Sequence, residues 1–304
     1  MKTKFLVSLL FFGQIAFGQT GKYIKVTGTK CSIIPPKSFL VSSTFSGFQN
    51  DEKGASIMIN EIPAPYQQLI DGFTESALKT RGMTLINKKT VDFNASKATL
   101  FTVSQPANGS IYLKQMLIFG DSKTTILVNG IYPEKSKDIE SEIKEALFST
   151  IYSESQTENP LDAAKFTIET QETEFKVTKY LSGMLLYSID GKIPTEKPTL
   201  TVGNSISKIS PTVDRKTFAL DRLKKLPQGE NNIVKSSGEV TIDNMDGFEI
   251  VAEGKSKDGK PELIYQVILF DDNGDYYLIL GQSAEDFQKY LEVFQKISKT
   301  FRRK

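Results

Sequence analysis

The chain contains no histidine. That absence excludes the Ser-His-Asp and Cys-His nucleophile–base pairs, the commonest general acid–base side chain and every zinc site built on imidazole. Several short runs nevertheless have residue types and spacing that carry a known chemistry. Gly254-Lys-Ser-Lys-Asp-Gly259-Lys260 has the spacing of a phosphate-binding loop, in which backbone N–H groups and a lysine grip phosphate oxygens. The next residue, Pro261, has no hydroxyl to offer magnesium, and Leu263 to Phe270 reads as a strand where the motif needs a helix N-terminus, so a plain hairpin turn is expected. Asp271-Asp272-Asn273-Gly274-Asp275 clusters three carboxylates, ligands suited to Ca²⁺, but lacks the alternation and the twelfth-position Glu of an EF-hand, and Asn-Gly between strands predicts a tight turn.

Ser205-Ile-Ser-Lys208 has the Ser-x-x-Lys spacing of penicillin-recognising enzymes without their Ser-Asp-Asn and Lys-Thr-Gly partners. Cys31, the single cysteine, can form no internal disulfide, and with no histidine to activate it a buried thiol is expected, although Lys30 could lower its pKa. Asn94-Ala-Ser and Asn108-Gly-Ser match glycosylation acceptors, which matter only in a eukaryotic secretory pathway. No catalytic, cofactor-binding or metal-ligating residue is therefore assigned, no cofactor is expected, and the ligand-binding residues remain open.

The elements that would position a site begin after an N-terminal targeting segment. Lys2 and Lys4 precede an apolar run from Phe5 to Phe17, too short to span a bilayer, which takes about 20 residues. With the small-residue site Ala16-Phe17-Gly18 it reads as a secretory signal peptide over residues 1–18, and the expected location is the periplasm or the extracellular space. The formal charge of +2 comes from those two lysines. Residues 19–160 hold 15 basic and 14 acidic side chains and residues 161–304 hold 21 and 22, so neither half has a global electrostatic reason to seek nucleic acid or an anionic membrane. The polar run 153–160 reads as a linker between residues 19–152 and residues 161–304.

The two halves resemble each other. Lys114 to Gly130 aligns without gaps on Tyr265 to Gly281 at an offset of 151, with Gln115/Gln266, Phe119/Phe270, Asp121/Asp272, Leu127/Leu278 and Gly130/Gly281 identical. Upstream, Asn108-Gly109 matches Asp258-Gly259 at 150, and Val91 and Phe93 match Val240 and Ile242 at 149. Offsets that rise by single residues are what turn insertions produce, and a tandem duplication is expected. In the first half, strands are predicted at 33–36 and 55–59, a helix over 63–82, strands near 97–104, 110–119 and 124–132, and a last helix over 134–152. The second half repeats this, with a short helix from Asp214 to Leu226 and a last helix capped by Ser283 and Asp286 and striped by Phe287, Tyr290, Leu291, Phe294, Ile297 and Phe301. Strands running together under helices give an α+β class.

The run Ile-Ile-Pro-Pro-x-x-Phe (Ile33 to Phe39), Phe-x-Gly-Phe (Phe45 to Phe48), Gly-Ala-Ser-Ile-Met-Ile (Gly54 to Ile59), a helix, a three-strand meander and a terminal helix resembles the PsbP-like superfamily. Its members include the extrinsic oxygen-evolving subunit of photosystem II, a Ran-binding import factor, DcrB-like envelope lipoproteins and effector-chaperone adaptors. The resemblance implies two tandem α/β/α sandwich domains, each a central antiparallel sheet flanked by helices, with no shared active site. Cys31 lies well downstream of the signal peptide, unlike a lipoprotein cysteine. The expected function is an exported, non-catalytic binding or accessory protein with another protein as partner. A small ligand in an apolar interdomain pocket and a carboxylate-dependent hydrolase are the alternatives.

Overall fold

The structure is a computed structural model that describes residues 21–107, 109–156 and 158–304. The signal-peptide segment, Asn108 and Thr157 lie outside the described residues. In the first half, β1 (Ile24–Lys25), β2 (Cys31–Ile33), β3 (Leu40–Val41), β4 (Gly47–Asn50) and β5 (Ala55–Ile62) lead into α1 (Tyr66–Gly72) and α2 (Glu75–Lys79). A four-strand meander follows, β6 (Thr84–Phe93), β7 (Ser96–Ala107), β8 (Ser110–Gly120) and β9 (Thr125–Pro133), then α3 (Glu140–Phe148) and β10 (Ile151–Tyr152). β3 to β9 form one seven-stranded antiparallel sheet in the order β3-β4-β5-β9-β8-β7-β6. Because successive side chains point to opposite faces, Leu100, Leu117 and Val128 pack beneath α3, while Phe101, Met116 and Ile118 pack beneath α1 and α2.

The second half contains α4 (Pro160–Ala163), β11 (Phe166–Thr167), β12 (Lys176–Leu181), β13 (Met184–Ser188), β14 (Thr199–Asn204), α5 (Arg215–Lys224), β15 (Ile233–Ile242), β16 (Met245–Lys255), β17 (Pro261–Phe270), β18 (Tyr276–Ser283), α6 (Phe287–Ser298) and β19 (Arg302–Arg303). Its sheet runs β12-β13-β14-β18-β17-β16-β15, the same order as the first. Val202, Tyr265 and Ile279 face α6, and Ile250, Ile268 and Leu280 face α5. The class is α+β: two large antiparallel sheets with few helices over them. The likeness of the halves reaches small details. In each, a strand ahead of the sheet pairs with the strand after the last helix, β2 with β10 and β11 with β19. In each, the outer edge strand carries a bulge at the same place, between Leu85 and Asn87 and between Val234 and Ser236.

Sheet register corrects the gapless alignment of the halves. Thr102 pairs with Gln115 in the first sheet and Val251 pairs with Tyr265 in the second, so Gln115 corresponds to Tyr265, 150 residues on, and not to Gln266. A one-residue slip moves a side chain to the other face of a sheet. Accordingly Gln115 donates to Glu140 at the start of α3 (2.9 Å), whereas Gln266 donates to the Ala219 carbonyl of α5 (2.8 Å) on the opposite side. The offset of 151 holds for β9 and β18, where Gly130 lies under α3 and Gly281 under α6. The extra residue sits in the turn between β17 and β18, which closes from Asp271 to Asp275, against Asp121 to Thr124 in the first half.

Three helix predictions also need correction. The helix over 63–82 is two helices, because the chain leaves helical geometry at Phe73 and Thr74 then caps α2 by accepting from the Ala77 N–H (3.1 Å). The helix over 134–152 is a 3₁₀ segment over Glu134–Ile139, then α3, and Ile151 lies in β10. α6 is capped by Asp286 alone, whose carboxylate accepts from Lys289 N–H (3.3 Å), while the Ser283 hydroxyl is occupied by the backbone of Glu285.

Candidate functional site

α5 is shorter than the strands it covers, and the uncovered end of its sheet face is polar. Glu262 on β17, Gln282 on β18 and Thr199 on β14 share that face, the last two as register partners. Their counterparts by register in the first half are Tyr112, Ile131 and Ser56, so an isoleucine and a tyrosine give way to an amide and a carboxylate. Three connections wall this patch into an open groove with a cavity volume of about 740 Å³: the loop through Pro194–Lys197, Pro227–Gln228 after α5, and the Lys255–Lys260 hairpin.

Each wall is longer than its first-half counterpart. The β13–β14 connection has ten residues (189–198) against four (51–54) between β4 and β5, the segment before β15 has eight (225–232) against four (80–83) before β6, and the β16–β17 hairpin has five (256–260) against two (108–109). Loops on a rigid sheet tolerate insertion and are where binding residues concentrate.

The groove is richly charged. Lys197, Lys255, Lys257 and Lys260 line it with Glu196, Asp258 and Glu262. Lys197 is neutralised by Glu285 at 2.7 Å. Glu262 is half-buried, and burial pushes its carboxyl above the ordinary range even though Gln282 donates to it (3.1 Å). An acid held above its unfolded value is bound more tightly to its proton in the folded state, so its ionised form costs stability at neutral pH, and that cost disappears in acid. Glu262→Gln is therefore expected to raise the melting temperature at pH 7, with the difference vanishing below the unfolded carboxylate pKa. Melting curves across pH 3–8 check this.

The phosphate-loop spacing at 254–260 is the β16–β17 hairpin, closed by Ser256 N–H to Lys260 carbonyl (2.8 Å), with Gly259 at φ +79°. It meets no helix N-terminus, yet it forms a wall of the groove. Asp271 is committed elsewhere: its carboxylate accepts from Asn273 N–H (2.8 Å) and holds Arg303 (2.6 Å), which together keep it below the usual range. Among the described residues no cluster of three His, Cys, Asp or Glu could hold a metal ion. Ser205 is a backbone partner, its hydroxyl accepting from Tyr276 N–H (3.1 Å), and Lys208 is exposed. Cys31 is fully buried, and burial, then the charge of Glu61, pushes its thiol up to about 12. Asn94 sits in the β6–β7 turn and donates its amide to the Thr150 carbonyl (3.0 Å).

Polar contacts join the halves. Lys179 meets Glu61 at 3.4 Å, Ser182 donates to Asn60 (2.7 Å), and Asn204 donates to the Thr44 carbonyl (3.0 Å). A cavity of about 170 Å³ lies there, bordered by Val26, Val41, Phe45, Phe48, Ala163 and Tyr180 together with polar residues such as Ser42, Ser46 and Asp162. It is smaller than the roughly 300 Å³ of ordinary ligand sites.

No family model matches the chain, and no curated protein matches it. The PsbP-like resemblance thus rests on its motifs. Solved structures that the chain resembles at low similarity include three of note. LpqN, involved in cell envelope biogenesis of Mycobacterium tuberculosis, is 14% identical over 45% of this chain and 82% of its own, with a TM-score of 0.35. The Tle4–Tli4 complex contains a chain 11% identical over 92% and 97%, with a TM-score of 0.33. The immunity protein TplEi of the type VI secretion system from Pseudomonas aeruginosa is 13% identical over 92% and 97%, with a TM-score of 0.29. Similarity of this degree carries no functional argument. No helix among the described residues is long and apolar enough to cross a membrane.

Proposed function

We propose that the chain is an exported, non-catalytic binding protein of the cell envelope, acting as an adaptor or chaperone-like accessory, whose second half seats a segment of a partner protein in the groove on the α5 side. In this reading residues 19–152 and 161–304 are two PsbP-like units joined by 153–160, and residues 1–18 direct export. The observation that carries it is the groove itself, about 740 Å³, walled by three connections that are longer than their counterparts in a half of identical strand order. Binding without catalysis fits its side chains. With no histidine in the chain, acid–base work would fall to carboxylates, lysines or tyrosines, and the half-buried Glu262 has an amide, Gln282, as its hydrogen-bond partner. The mixed charges of the lining favour a protein over a nucleic acid, whose uniform phosphates would face Glu196 and Glu262.

A photo-reactive amino acid placed at Gln228 in the groove, and separately at Thr90 on the exposed β6 edge, tests the reading in intact envelopes. A protein adduct from position 228 that position 90 does not give is expected. No adduct from position 228 contradicts it.

A further inference from the structure

Charge is not spread evenly through the groove. Lys255, Lys257 and Lys260 stand exposed on one hairpin with Asp258 as the one acid among them, and none of the three lysines forms an ion pair among the described residues. Lys197, the lysine on the far wall, is already neutralised by Glu285. What remains there is the unpaired Glu196, while Glu262 on β17, the register partner of Gly254, lies at the foot of the lysine hairpin. The strand order β14-β18-β17-β16 sets the spacing: Glu196 precedes β14, and the lysines join β16 to β17. Two to three strand spacings separate them, roughly 12 Å, or about four residues of extended chain. A free amino acid is too short to reach both walls. A polyanion would place like charge against Glu196 and Glu262 within a Debye length of about 8 Å.

We propose that the groove's occupant is an extended peptide segment of mixed charge, with acidic side chains against the 255–260 hairpin and a basic side chain about four residues away against Glu196. This deepens the binding-protein reading and rests on it.

Fluorescence polarisation with the full mature chain tests it, using four labelled probes: a peptide with two Glu and one Lys four positions apart, an all-Glu peptide, an all-Lys peptide and an uncharged one. The mixed peptide is expected to bind about tenfold or more tightly than the uncharged one and more tightly than either single-sign probe, with an affinity that falls as salt rises. The triple variant Lys255→Glu, Lys257→Glu, Lys260→Glu, all at exposed positions, is expected to melt normally, lose that preference and favour the all-Lys probe. Equal binding of the four probes, best binding of the all-Glu probe, or an unchanged preference in the folded triple variant overturns the proposal. Should the Gln228 cross-link succeed while the probes show no charge preference, the occupant assignment fails and the binding reading stands.

Discussion

Replacing Gly281 by alanine is expected to destabilise the second half by about 3 kcal/mol, the upper end of the ordinary cost of overpacking. A Cβ there would lie 2.5–2.6 Å from three atoms of the Phe294 ring. That ring has no room to retreat. It is fully buried and held by Tyr265, Phe175 and Tyr290 at centroid distances of 6.0, 5.6 and 6.2 Å. Either α6 lifts from the sheet or the β18 backbone shifts, and both open the core. Gly130 plays the same part in the first half, where a Cβ would meet Ile143 at 2.2 Å and Leu147 at 3.3 Å. The chain has no tryptophan, so urea titration followed by far-UV circular dichroism is the suitable measurement. An unchanged midpoint would mean that α6 sits farther from the sheet than described.

Phe301→Ala is expected to cost about 3–5 kcal/mol, as for other buried phenylalanines. Phe301 lies just past α6, fully buried, 5.5 Å from Phe166 in a stacked arrangement and 5.1 Å from Tyr277. It packs the β19 end of the chain against β11, so its loss removes the buried side-chain contact beneath the backbone pairing of the two ends of the second half. Early proteolytic loss of the C-terminal residues should accompany the lowered urea midpoint. A variant that melts like the parent and resists protease would show that the β11–β19 pairing holds without this ring.

Much of this architecture was legible in the residues. The duplication, the Asp258-Gly259 and Asn273-Gly274 turns and the apolar stripe of α6 could be read directly, because period-3.6 stripes and positive-φ turn pairs are local signals. The edge strands β6 and β15 were missed as full elements because most of their residues are exposed, which leaves no alternation to detect. The one-residue error in aligning β8 with β17 arose because both strands are apolar on both faces, and only cross-strand register distinguishes Gln115 from Gln266. The groove left a fainter trace. Its Gly254–Lys260 wall is the turn that the sequence predicts, but charge on a turn does not reveal what it faces. Comparing connection lengths between the halves would have pointed to the groove, since all three walls are insertions relative to the first half.

In the proposed reading these insertions make a binding site on a fold complete without them. Shortening the 189–198 and 256–260 connections to the four- and two-residue lengths of the first half removes two walls while leaving both sheets, α5 and α6 in place. The shortened protein, carrying the photo-reactive group at Gln228, is predicted to keep its circular dichroism spectrum and cooperative melting and to lose the partner adduct formed by the parent. A folded, shortened protein that still gives the same adduct would show that the insertions do not form the binding site.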